Sequence, residues 1–220
     1  MRFVQRAFAR LSLVLLAFAA VCAVTAPAQA AKFYVDNKLG ELKPEDRVKI
    51  AEPRPVQLLF QFSTDGAPNA KATKYLKTQV LALVKASGLF SEVSELPVAG
   101  GATLAITFNN ITEKGAAGKG FTAGLTFGLA GTLVVDNYLV TAEYQAGSSA
   151  TPIKASVEHK LYTKIGAKDP PPDATEFKKP ADAIAAIARQ SIDHALNKVA
   201  SDAAFAAAPA PAPEAAKPNG

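Results

Sequence analysis

One stretch constrains this chain more than any other: Phe121–Val135, FTAGLTFGLAGTLVV, fifteen residues without a charge between Lys119 and Asp136. Taken with a period of two, Phe121, Ala123, Leu125, Phe127, Leu129, Leu133 and Val135 fall on one face, interrupted only by Gly131. Thr122, Gly124, Thr126, Gly128, Ala130 and Thr132 fall on the other. Such alternation marks a strand buried on one side. Taken with a helical period, Gly120, Gly124 and Gly128 have the spacing that lets apolar helices approach closely. Sixteen helical residues would span roughly 24 Å, short of a hydrocarbon core of about 30 Å. Four glycines inside that helix would each cost up to about 1 kcal/mol relative to alanine. The balance favours two strands, or a strand and a bend, broken at Gly128–Gly131. The segment is then either a Gly-rich core hairpin or an apolar flap. In the second case Phe121, Leu125, Phe127, Leu129 and Leu133 are the residues expected to contact a membrane or a partner, since apolar patches of this size are uncommon on soluble monomers.

The first thirty residues read as a leader and not as part of the fold. Arg2, Arg6 and Arg10 precede the apolar run Leu11–Val24, and Ala28-Gln29-Ala30 fits a small-x-small cleavage site. Cleavage is expected between Ala30 and Ala31. The apolar run has fourteen residues, fewer than a spanning helix needs. Cys22 raises lipidation as an alternative, but Ala19-Ala20-Val21 before it departs from the usual Leu-x-Gly/Ala pattern. It is also the only cysteine in the chain, so a mature form beginning at Ala31 has no disulfide and depends on its core. Three of the 24 basic residues lie in the leader. That leaves 21 against 19 acidic residues, a charge of about +2, so neither nucleic acid nor a strongly acidic partner is expected.

Residues 31–55 look like an arm wrapped on the domain, with one short strand at Phe33-Tyr34-Val35. Strands follow at Val56–Phe62, around Val93, at Ala102–Thr112, at Asn137–Tyr144 and at Ile153–Ile165. A helix spans Asn69–Ser87, with Asn69 as its cap and Gly88 as its left-handed stop. A second helix opens at Pro180 and carries the stripe Ile184, Ala188, Ile192, Leu196 and Val199. The loop 166–179 contains Pro170-Pro171-Pro172 and is expected to lack regular structure. The sum is an α+β domain over 56–205: an antiparallel sheet with two helices on one face, carrying an apolar Gly-rich insert at 115–135. Residues 206–220, AAAPAPAPEAAKPNG, are an Ala/Pro tail.

No catalytic constellation is visible. His159 lies in the inward phase of a strand, and His194 sits beside the helical stripe; neither has a second ligand at metal spacing. There is no Gly-x-Ser-x-Gly elbow. GAAGKG at 115–120 has Gly120 where a phosphate loop needs Ser or Thr. Neither enzyme activity nor a cofactor or metal is expected.

The element order over about 56–200 resembles, in topology, small periplasmic modules of envelope-assembly proteins such as the lipopolysaccharide-assembly lipoprotein family. That resemblance implies a periplasmic or outer-membrane-associated assembly role. The expected function is therefore a noncatalytic exported envelope module whose apolar segment contacts a membrane or an envelope protein. The alternative is a soluble periplasmic small-ligand or lipid-binding protein.

Overall fold

A computed structural model describes residues 31–112, 133–147 and 150–207. The elements are β1 (Lys32–Val35), β2 (Arg54–Thr64), β3 (Ala67–Pro68), α1 (Ala70–Ala86), β4 (Phe90–Ser94), β5 (Thr103–Thr112), β6 (Leu133–Gln145), β7 (Ile153–Lys164), β8 (Thr175–Phe177), α2 (Pro180–Ala200) and α3 (Ala203–Ala207). A single 3-10 turn, Pro44–Asp46, interrupts the arm. The eight strands form one sheet in the order β3-β2-β5-β6-β7-β1-β8, with β4 also paired to β2. Gln57 pairs with Ser94 and with Thr103, so β4 and β5 lie on opposite edges of β2.

The α+β class and the two principal helices agree with the sequence. The wholly antiparallel sheet does not: β2 runs parallel to both β4 and β5, and every other pairing is antiparallel. The cause is α1, a helical crossover between β2 and β4 that returns the chain in the direction it left. Three boundaries also differ. Within the arm, β1 is a full member of the sheet, held between β7 and β8. The loop after the triple proline regains extended structure as β8, because β1 offers it a free edge. Finally, α3 reaches Ala207, two residues into the expected tail; the rest of the tail lies outside the described residues, as do residues 1–30 and 113–132.

Alternation explains the layers. Val56, Leu58 and Phe62 of β2, Leu104, Ile106 and Phe108 of β5, Tyr138, Val140, Ala142 and Tyr144 of β6, and Val157 and Leu161 of β7 are all buried. They face Leu76, Val80 and Val84 of α1 and Ile187, Ile192, Leu196 and Val199 of α2. α1 packs on β2 and β4, α2 packs on β6, β7 and β1, and the two helices touch each other. α1 is stopped by Gly88 at φ +71°, after which Leu89 folds back into the core.

At its other end, Asn69 accepts the Ala72 N–H through Oδ1 at 3.0 Å and donates Nδ2 to Thr64 Oγ1 at 3.2 Å. Asn69→Ala leaves the Ala72 N–H uncapped and is expected to cost about 1 kcal/mol in urea unfolding. An unchanged midpoint would mean that another group caps the helix.

Candidate functional site

The expected contact residues Phe121, Leu125, Phe127 and Leu129 lie outside the described residues, as does Ala30. Ala31 is exposed and stands immediately before β1. Leu133 is the first residue of β6, half-buried and paired with Lys164 of β7. Residues 133–135 are therefore strand, in line with the period-two reading of that end of the central stretch. The ladder between β5 and β6 runs without a break from Thr103↔Gln145 to Thr112↔Asp136. Thr112 and Asp136 are thus paired neighbours at one end of this stem, and β6 continues three residues beyond it, Leu133–Val135, on β7 alone.

Polar groups gather at that end on the helix side. Asn110 Nδ2 approaches Asp136 Oδ1 at 3.5 Å, and burial pushes the Asp136 carboxyl above its usual range against that contact. Burial also pushes the Tyr138 phenol well up, helped by the charge of Asp136. Asn110 Oδ1 is buried without a hydrogen-bond partner.

His159 is held in a hydrogen-bonded network, whereas His194 Nε2 on α2 is buried without a hydrogen-bond partner. His159 is 3% exposed. Its Nδ1 accepts the Lys160 N–H at 2.9 Å, so the proton resides on Nε2, which donates to Gln190 Oε1 at 2.6 Å. Gln190 Nε2 donates to Glu41 Oε1 at 2.9 Å, and Arg189 grips both Glu41 oxygens at 3.0 and 2.5 Å. Burial holds the His159 pKa below its ordinary value despite the Gln190 bond. The arm continues along α2: Arg47 pairs with Asp193 at 2.5 Å, and Asn197 binds the Val48 N–H and the Asp46 carbonyl. This is why α2 buries Gln190 and Asp193 beside its apolar stripe; Ser191 Oγ is buried there without a hydrogen-bond partner. The arrangement closes the His159 ring off from solvent. Among the described residues no group of three His, Cys, Asp or Glu side chains is placed to hold a metal.

The opposite end of the sheet carries a concavity of about 340 Å³. Five segments meet there: the arm (Lys49–Glu52), the start of β2 (Arg54), the start of β4 (Leu89, Phe90), the end of β6 (Tyr144) and α3 (Phe205, Ala206). Leu89, Phe90, Tyr144 and Phe205 are each buried. The rings form a triad, with Tyr144–Phe205 centroids at 4.7 Å and Phe90 at 6.0 Å from each. Burial raises the Tyr144 phenol pKa, and the charge and hydrogen bond of Arg54 oppose that rise. Sequence reasoning missed this site because no segment contributes more than four of its residues. The one available signal was Phe205, an aromatic side chain at the edge of an Ala/Pro tail.

No protein-family model and no curated protein matches the chain. Among solved structures, a PelC dodecamer from Paraburkholderia phytofirmans superimposes with a TM-score of 0.36 at 13% identity, covering 69% of this chain and 90% of that one. No described helix is long and apolar enough to cross a membrane.

Proposed function

We propose that the chain is a noncatalytic, exported module of the cell envelope, periplasmic or outer-membrane-associated, which uses its apolar segment at 115–135 to dock on a membrane surface or an envelope protein. The observation that carries this reading is the paired stem. β5 and β6 stay in register to Thr112↔Asp136, so the strands on either side of residues 113–132 are paired neighbours in the sheet. The described core already joins both helices to that sheet. The leader-like first thirty residues supply the route of export. The sealed state of His159 supports a binding role over a chemical one.

Replacing residues 115–131 by a short Gly/Ser linker tests the reading. The full chain is expected in the membrane fraction, or cross-linked to an envelope protein. The replaced chain is expected to be soluble with an unchanged unfolding midpoint. Flotation with lipid vesicles separates a lipid target from a protein one. A full-length mature chain that is wholly soluble, monomeric and unable to float would overturn the proposal.

A further inference from the structure

We infer that the concavity between the arm, β4, β6 and α3 is a binding site for a small anionic amphiphile, a free fatty acid with one short acyl chain and a carboxylate head. Its volume of about 340 Å³ falls within the range of small-molecule pockets.

The walls decide what that occupant is. Leu89, Phe90 and Phe205 bring no hydrogen-bonding side-chain group to the lining, and Tyr144 brings a single hydroxyl. A sugar or a nucleotide would leave its own polar groups unpaired against such walls, at about 1–3 kcal/mol each. A hydrocarbon chain loses nothing there and leaves water.

Charge orients the ligand. Lys49 and Arg54 line the site with one acid, Glu52, so the local balance is positive. Arg54 is half-buried at the start of β2 and lines the concavity beside Tyr144. A carboxylate placed there can accept a forked pair of N–H bonds, which an ammonium head cannot do. An acyl chain reaching past Phe90 and Phe205 with its head at Arg54 satisfies both constraints.

This site does not depend on the docking segment. Tyr144 and Asp136 lie eight residues apart on β6, roughly 26 Å at about 3.3 Å per residue, so the concavity and the stem occupy opposite ends of the sheet.

Calorimetric titration of the mature chain with decanoate, decanol and decyltrimethylammonium, each below its micellar concentration, tests the assignment. Decanoate is expected to bind saturably with one site per chain, and decyltrimethylammonium at least about tenfold more weakly. Arg54→Gln is expected to weaken decanoate at least about tenfold, through loss of the forked charge-assisted pair, while leaving decanol unchanged; Arg54→Lys should recover part of the loss. Ala206 is exposed at the site. Ala206→Trp is expected to block all three probes, with the unfolding midpoint showing that the domain still folds. Replacement of 115–131 is expected to leave decanoate binding intact, which separates this assignment from the docking reading. No saturable decanoate binding, equal binding of the ammonium probe, or full binding to a folded Ala206→Trp chain would each overturn it.

Discussion

Phe108→Ala is expected to remove about 3–5 kcal/mol of stability, a large part of the 5–15 kcal/mol that holds an ordinary domain together. Phe108 lies on β5, in the middle of the sheet, and is 0% exposed. Its ring stacks on Phe62 at 6.2 Å and meets Phe60 and Tyr138 edge-on at 6.5 and 6.4 Å. Those neighbours come from β2 and β6, so the hole left by alanine is walled by strands on both sides. Neither strand can move inward without breaking its ladder to β5, and relaxation into the cavity is therefore limited. Urea unfolding should show a lower midpoint with an unchanged slope. Phe108→Leu keeps most of the volume and should cost well under half as much. A loss below about 1 kcal/mol for the alanine variant would mean that the aromatic cluster is not the centre of the core.

Gln190→Leu has the second largest expected effect, about 1–3 kcal/mol, because it leaves the Nε2–H of a buried imidazole with no acceptor. It also cuts the link from His159 through Gln190 to Glu41, one of the bonds that fasten the arm to α2. The double variant His159→Leu/Gln190→Leu replaces both polar partners by apolar ones and should be more stable than Gln190→Leu alone. If the double variant were the weaker of the two, the cost would come from packing and not from the stranded N–H.

The same network sets a pH dependence with a definite sign. The His159 pKa is lowered in the folded chain, mainly by burial. Below about 6.5 the unfolded chain therefore binds a proton that the folded chain resists. The stability linked to His159 is complete above the unfolded value and is lost as pH falls from there towards the folded value. Glu41 adds a second, more acidic step. The hydrogen bonds from Arg189 are the largest influence on its carboxyl and hold it below 4.5 against the opposing effect of burial. That contribution is present above the unfolded carboxyl value and disappears as pH falls through the folded one. Urea midpoints measured across pH should flatten in the upper window for His159→Leu/Gln190→Leu and in the lower window for Arg189→Gln.

What the residues disclosed, and what they withheld, follows the range of the forces involved. Strict alternation at Leu104, Ile106 and Phe108, and at Tyr138, Val140, Ala142 and Tyr144, identified the central strands, because a one-residue slip would turn every one of those side chains to water. Local chemistry at Asn69, Gly88 and Pro180 located the helix ends. Pairing direction is not written in a period of two, so the parallel course of β2 beside β5 was invisible. β8 was hidden for a related reason: Thr175–Phe177 is too short to show a pattern, and only the edge of β1 makes it a strand. The burial of Gln190 and Asp193 has no local signal, because the residues that cover them, Glu41 and Arg47, lie about 150 places earlier. The concavity was the least legible feature, since its lining is gathered from five places in the chain.

The position of β1 has a consequence for how the molecule comes together. Residues 32–35 are added between 161–164 and 175–177, so the first of the described strands in chain order is the seam between the last two. A chain delivered from its amino end must carry this strand unpartnered until nearly everything else has arrived. Closure of the sheet is thereby postponed to the final stage, and a product cut short before residue 161 has no place to lodge its own beginning.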